Sequence, residues 1–103
     1  MPMNEIAQIL ASLAEPTRLG AVVILWDGGE HCVCELMEKL GASQSRMSRH
    51  MSVLKANGIV TDRRDAQWVR YRINRTLGPG LIGIIDAAVV AAKSKLNEVK
   101  AAA

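Results

Sequence analysis

Apolar positions recur at three- and four-residue spacing through the first half of the chain, alternate over a short stretch near residue 65, and return to helical spacing at the end. Asn4 can cap a first helix through about Leu13, with Ile6, Ile9, Leu10 and Leu13 on one stripe. Glu15-Pro16-Thr17 restarts the chain, since proline at a first helical position gives up no needed donor. The second helix runs to about Trp26 on Leu19, Val22, Val23 and Trp26, and Asp27-Gly28-Gly29 ends it. Gly20 weakens its interior by about 1 kcal/mol relative to alanine. A short third helix begins near Cys32 or Val33, turns Leu36, Met37 and Leu40 inward, and stops at Gly41. Ser43 is a good N-cap for a fourth helix through about Ala56, whose buried stripe is Met47, Met51 and Leu54. Asn57-Gly58 reads as its left-handed stop.

Ile59 to Arg64 and Trp68 to Asn74 then alternate and pair as a hairpin across Asp65-Ala66-Gln67. Val69, Tyr71 and Ile73 share one face, and Tyr71 is expected in the core; Trp68 is expected to pack on the base of the hairpin. Gly78-Pro79-Gly80 breaks the chain before a last helix over about 81–99, with Leu81, Ile84, Ile85, Ala88, Val89, Ala92, Leu96 and Val99 on a stripe. The final alanines are expected to fray. The fold class is mainly α with a two-stranded β wing, a winged helix-turn-helix. One domain covers 1–103: the helix-turn-helix spans about 32–57, the wing about 59–74, and flanking helices about 4–13 and 81–99. Those flanking stripes are too long for a monomer of this size to bury, which predicts a homodimer through the first and last helices.

Composition narrows the classes. Half the residues are apolar and 22% are charged, the balance of a globular chain. No apolar run approaches the roughly 20 residues that cross a bilayer, so no membrane partner is expected. The N-terminal residues lack a basic stretch followed by an apolar one, so a secretory signal is not expected and the predicted location is cytoplasmic. The net charge of +3 conceals a partition. Residues 1–41 hold two basic and six acidic side chains; residues 42–75 hold eight basic and two acidic ones. A basic segment over a helix-turn-helix and a ribbon is the footprint of a double-stranded DNA reader.

The fourth helix supplies the chemistry for that reading. Ser43 starts it, and Gln44, Ser45, Arg46, Ser48, Arg49 and Ser52 lie opposite its buried stripe. Glutamine and arginine match adenine and guanine edges in the major groove, and serine holds phosphates. His50 either donates to a phosphate or caps the interface between helix and wing. Arg63, Arg64, Gln67 and Arg70 line the wing, where arginines track phosphates or enter a minor groove.

The motifs Leu13-Ala14-Glu15-Pro16-Thr17-Arg18-Leu19, Glu30-His31-Cys32-Val33-Cys34-Glu35-Leu36 and Ser43-Gln44-Ser45-Arg46-Met47-Ser48-Arg49-His50-Met51 resemble the ArsR/SmtB family of metalloregulatory repressors. Leu54-Lys55-Ala56-Asn57-Gly58-Ile59-Val60 and the wing Trp68-Val69-Arg70-Tyr71-Arg72-Ile73 extend the resemblance to nearly the whole chain. It implies a homodimeric repressor that leaves its operator when an inducer binds, and the Cys-Val-Cys element is most similar to the arsenite-sensing branch. The implied inducer is As(III), with Sb(III) as the other candidate, and no organic cofactor. The chain departs from the family at four points. Met37 stands where that branch often has a third cysteine, and the N-terminal arm has no cysteine. The last helix has no histidine, and the wing tip lacks its usual glycine.

Soft thiolate sulfur suits a soft trivalent centre, so Cys32 and Cys34 are the candidate ligands. On a regular helix residues i and i+2 diverge, whereas in an extended segment they share a side. Chelation by the pair therefore requires that the start of the third helix be non-helical or unwind. His31, a small-molecule thiol or water is the candidate for the third position, and Met37 is expected in the core. Inducer binding would distort the first helix of the helix-turn-helix and move the second. Two alternatives stay open. The pair senses oxidants or reactive sulfur in a repressor, although a Cys-x-Cys disulfide closes a small ring. Or the chain is a small thiol–disulfide oxidoreductase, which leaves the basic segment without a purpose.

Overall fold

Among the described residues the three middle helices follow the predicted punctuation closely, because their capping residues are strong; the first helix begins at Pro2, so Asn4 lies inside it rather than capping it, and the last begins at Pro79, within the expected break. The computed structural model describes residues 2–102, with side-chain surroundings for 3–98. Helix α1 spans Pro2–Leu13 and α2 spans Pro16–Leu25, with Pro16 at its first position and the Glu15 carboxylate accepting from Arg18 N at 2.9 Å. Strand β1 is His31–Cys32, and α3 is Val33–Leu40. Gly41, at φ 64°, closes α3 in the left-handed conformation that glycine adopts without a Cβ penalty. Helix α4 is Gln44–Ala56, with Ser43 Oγ accepting from Arg46 N. Strands β2 (Val60–Asp65) and β3 (Trp68–Ile73) form the wing, and α5 is Pro79–Ala102.

The two-stranded wing is present as β2 and β3, and a short third strand joins its edge. Its sheet has the order β1-β3-β2, all antiparallel, with His31 opposite Tyr71 and Cys32 opposite Arg70. Two residues are too few to alternate, so periodicity cannot reveal β1. The hairpin turn is Ala66-Gln67, and Ala66 takes the positive φ of 55° that the missing glycine would have taken without strain.

The core gathers Ile9, Val22, Leu25, Leu36, Met47, Met51, Leu54, Ile59, Ile85 and Val89. Gly20 lets α2 and α3 approach, since a Cβ there would stand 2.7 Å from Leu40 Cδ2. Tyr71 is buried as expected. Trp68 is not packed away on the base of the wing; it opens β3 beside the turn and is 37% exposed. The stripe on α5 divides: Ile85 and Val89 are buried in the chain's own core, while Leu96 is 55% exposed, as is Val90 beside the stripe. Leu10 of α1 is also exposed, and Glu5, Ile6, Gly80, Leu81 and Ile84 line an open, mainly apolar groove of about 330 Å³ between α1 and α5. Val99 and the terminal alanines lie outside the residues whose side chains are described. Among the described residues no single helix is long and apolar enough to cross a membrane.

Candidate functional site

The two cysteines straddle the junction of β1 and α3. Cys32 is the N-cap of α3, with extended φ −67° and ψ 144°, while Cys34 lies in the first helical turn. That break in helical geometry brings their Cα atoms to 5.2 Å and both sulfurs to one point. The Cys32 sulfur also accepts from Cys34 N at 3.2 Å. The structure joins the sulfurs as a disulfide, where the sequence suggested free thiols. Their Cα separation of 5.2 Å is one that a disulfide can span. Cys32 is buried and Cys34 is exposed, so a ligand or reductant can reach the pair from one side.

His31 is held differently from the third-ligand expectation. Its Nδ1 lies 2.6 Å from Glu35 and its Nε2 lies 2.8 Å from Asp27. Partial burial favours the neutral ring, but the two carboxylates outweigh it and raise the pKa of His31 above its usual value. A ring with both nitrogens facing carboxylates offers no lone pair to a metal in this arrangement. Among the described residues no three His, Cys, Asp or Glu side chains converge as a ligand set.

On α4, Ser43, Gln44, Ser45, Arg46 and Arg49 are exposed and Ser48 is partly so, on the side away from Met47, Met51 and Leu54. Arg46 and Arg49 make no ion pair among the described residues. His50 is partly buried and lines an open cavity with Arg46, Arg49, Glu15 and Arg18. It turns toward α2, where its Nδ1 is 3.2 Å from Arg18 Nη1 and 3.6 Å from Glu15. Its contacts are thus with the start of α2 and not with the wing. The wing arginines divide as well. Arg63 Nε donates to both Glu30 oxygens, at 2.8 and 3.0 Å, and Arg70 Nε donates to Asp65 at 2.8 Å. Those bonds hold the Glu30 and Asp65 carboxyls below the usual carboxylate range. Arg64, Arg72 and Gln67 remain exposed, and neither arginine has a carboxylate partner among the described residues.

This geometry has clear relatives. Residues 15–62 match the family model "Bacterial regulatory protein, arsR family". The arsenical resistance operon repressor of Escherichia coli is 41% identical over 81 residues, covering 79% of this chain and 69% of that one. The chain belongs to the ArsR family. An arsenic resistance transcriptional regulator of Pseudomonas putida is 46% identical over 69 residues, covering 67% of this ArsR-family chain and 60% of its own length. A homodimeric winged helix-turn-helix DNA-binding domain from Mycobacterium bovis superposes with a TM-score of 0.72 at 25% identity, covering 93% of this chain and 85% of that one.

The segment matched to the ArsR family runs from the N-cap of α2 to β2, so it contains the cysteine pair, α3 and α4. Three participants were not legible in the sequence. Strand β1 ties the cysteines to the wing; Glu30 holds Arg63 from 33 residues away; and Arg18, counted with the acidic segment, stands beside α4. A carboxylate one residue before His31-Cys32 was the only signal for Glu30.

Proposed function

We propose that this chain is a homodimeric transcriptional repressor that binds double-stranded operator DNA and is released when trivalent arsenic, or antimony, bridges Cys32 and Cys34. The observation that carries the reading is the extended N-cap conformation of Cys32, which brings both sulfurs to one point at the start of the helix-turn-helix. Once reduced, the pair offers two soft donors to one thiophilic centre, with the third position left to a small-molecule thiol or water. Seating the centre pulls on the first turn of α3 and on β1 together. Helix α3 packs on α4, and β1 pairs with the wing, so both DNA-facing elements move with the site. The relatives named as arsenic-resistance regulators support this inducer.

On the DNA side the proposed contacts are Ser43, Gln44, Ser45, Arg46, Ser48 and Arg49 from α4, and Arg64 and Gln67 from the wing. Arg63 and Arg70 join them when DNA draws them from Glu30 and Asp65. The exposed apolar side chains of α1 and α5 are the proposed dimer face, and light scattering at micromolar concentration should give about twice the chain mass. Such a role is carried out in the cytoplasm. Titration of a DNA-bound sample with arsenite, antimonite, zinc and peroxide in turn tests the reading: release by arsenite or antimonite under reducing conditions supports it, and release by zinc alone sinks it.

The disulfide favours one second reading, a repressor whose pair responds to oxidants. Release by peroxide that a reductant reverses, without release by arsenite, selects that alternative.

A further inference from the structure

Ser12 is the one polar side chain buried among the described residues, 2% exposed, and its contacts reach three helices. Its hydroxyl donates to the Gln8 carbonyl one turn back at 2.9 Å and accepts from Nδ2 of Asn57, the C-cap of α4. Its carbonyl accepts from Arg18 Nε at 2.8 Å. Arg18 continues to α4, where Nη1 donates to His50 Nδ1 at 3.2 Å. A guanidinium has no acceptor, so in this contact Arg18 donates and Nδ1 accepts. His50 and Asn57 are seven residues apart, about two helical turns, and so lie on one face of α4. Two points on that face are thereby fastened to the corner between α1 and α2.

We propose that Arg18 and Ser12 are positioning residues for operator recognition, holding α4 in register with α1. This rests on the reading of α4 as the DNA-reading helix and of α1 as part of the dimer face. A dimer must present its two reading helices about 34 Å apart to meet successive major grooves. Hydrogen bonds are short and directional, so a displacement of α4 by about 1 Å breaks both fastenings. Arg18 acts through α4 rather than on a phosphate. Its Nε and Nη1 groups are engaged inside the chain, and the Glu15 carboxylate, which accepts from Arg18 N, lies close enough to feel its charge.

The test compares a duplex from the promoter upstream of the chain's own gene with a random duplex of equal length, over a series of salt concentrations. Arg18→Ala and Ser12→Ala should each lose about tenfold in affinity for the promoter duplex. Binding to the random duplex and the salt slope should not change, because no phosphate contact is lost. His50→Leu should show the same loss, and His50→Asn, which keeps an acceptor where Nδ1 sits, should recover most of it. Melting by circular dichroism identifies any variant that fails to fold; Ser12→Ala and His50→Leu carry the test if Arg18→Ala does. Undiminished promoter preference in the variants overturns the proposal. So does a parallel loss on both duplexes with a shallower salt slope, which would make Arg18 a phosphate contact. A native chain with no preference for the promoter duplex overturns the DNA reading itself, and this proposal with it.

Discussion

Cys32 lies directly opposite Arg70 across the β1–β3 pairing, and Arg70 lies opposite Arg63 across the β3–β2 pairing. One rung of the sheet thus runs from the cysteine pair to the basic side chains of the wing. Glu30, two residues before Cys32, grips Arg63 at the far end of that rung. A ligand that keeps the extended Cys32 but shifts it along the sheet disturbs strand pairing and ion pair together. In Glu30→Gln the ion pair is lost while strand pairing stays. The ratio of operator affinities without and with arsenite, which lies in the range of about 5–150 for an allosteric coupling, should fall by roughly threefold. Anisotropy titrations with and without arsenite measure it, and an unchanged ratio would remove the wing from the release mechanism.

Arg49 is exposed on α4 without a carboxylate partner among the described residues. If it reaches a base edge, Arg49→Ala weakens operator binding by about 1–3 kcal/mol and relaxes the sequence preference at one position. A gel shift against a set of singly substituted operators reads both effects. Loss without relaxed preference would make Arg49 a phosphate contact instead.

Glu15 caps α2. Burial pushes its carboxyl up, but the backbone N–H groups of Arg18 and Thr17, with His50 and the Arg18 side chain nearby, hold it below the usual 4.5. A depressed folded pKa means that the carboxylate stabilises the fold above its unfolded value, and that this stabilisation disappears as pH falls through the folded value. Glu15→Gln should therefore be less stable than the native chain by about 0.3–1 kcal/mol near neutrality. The difference should close in acid. Urea unfolding at several pH values below and above 4.5 checks the sign.

Much of this was written into the chain, for local reasons. Ser43, Gly41, Gly58 and Pro16 are capping and stopping residues, so α2, α3 and α4 could be bounded from residues only a few positions apart. The i, i+2 spacing alone required that the start of the third helix be non-helical or unwind, and Cys32 has the extended conformation of an N-cap. What could not be read depends on distant partners. Glu30 with Arg63, Arg18 with His50, and the two-residue β1 with β3 are all contacts that only the fold creates. His31 was drawn toward the ligand set by adjacency in sequence, yet Asp27 and Glu35, each four residues away, take both of its nitrogens. The division of α5 into a buried and an exposed face likewise depends on where α2 lies.

In the proposed mechanism one thiophilic ion bridging Cys32 and Cys34 releases DNA. Fluorescence anisotropy of labelled promoter DNA, bound by the fully reduced chain and titrated with arsenite, tests it most directly. The native chain should release the DNA, while Cys32→Ser and Cys34→Ser should bind it with native affinity and retain it at every arsenite concentration. Release that persists unchanged in both variants would contradict the account.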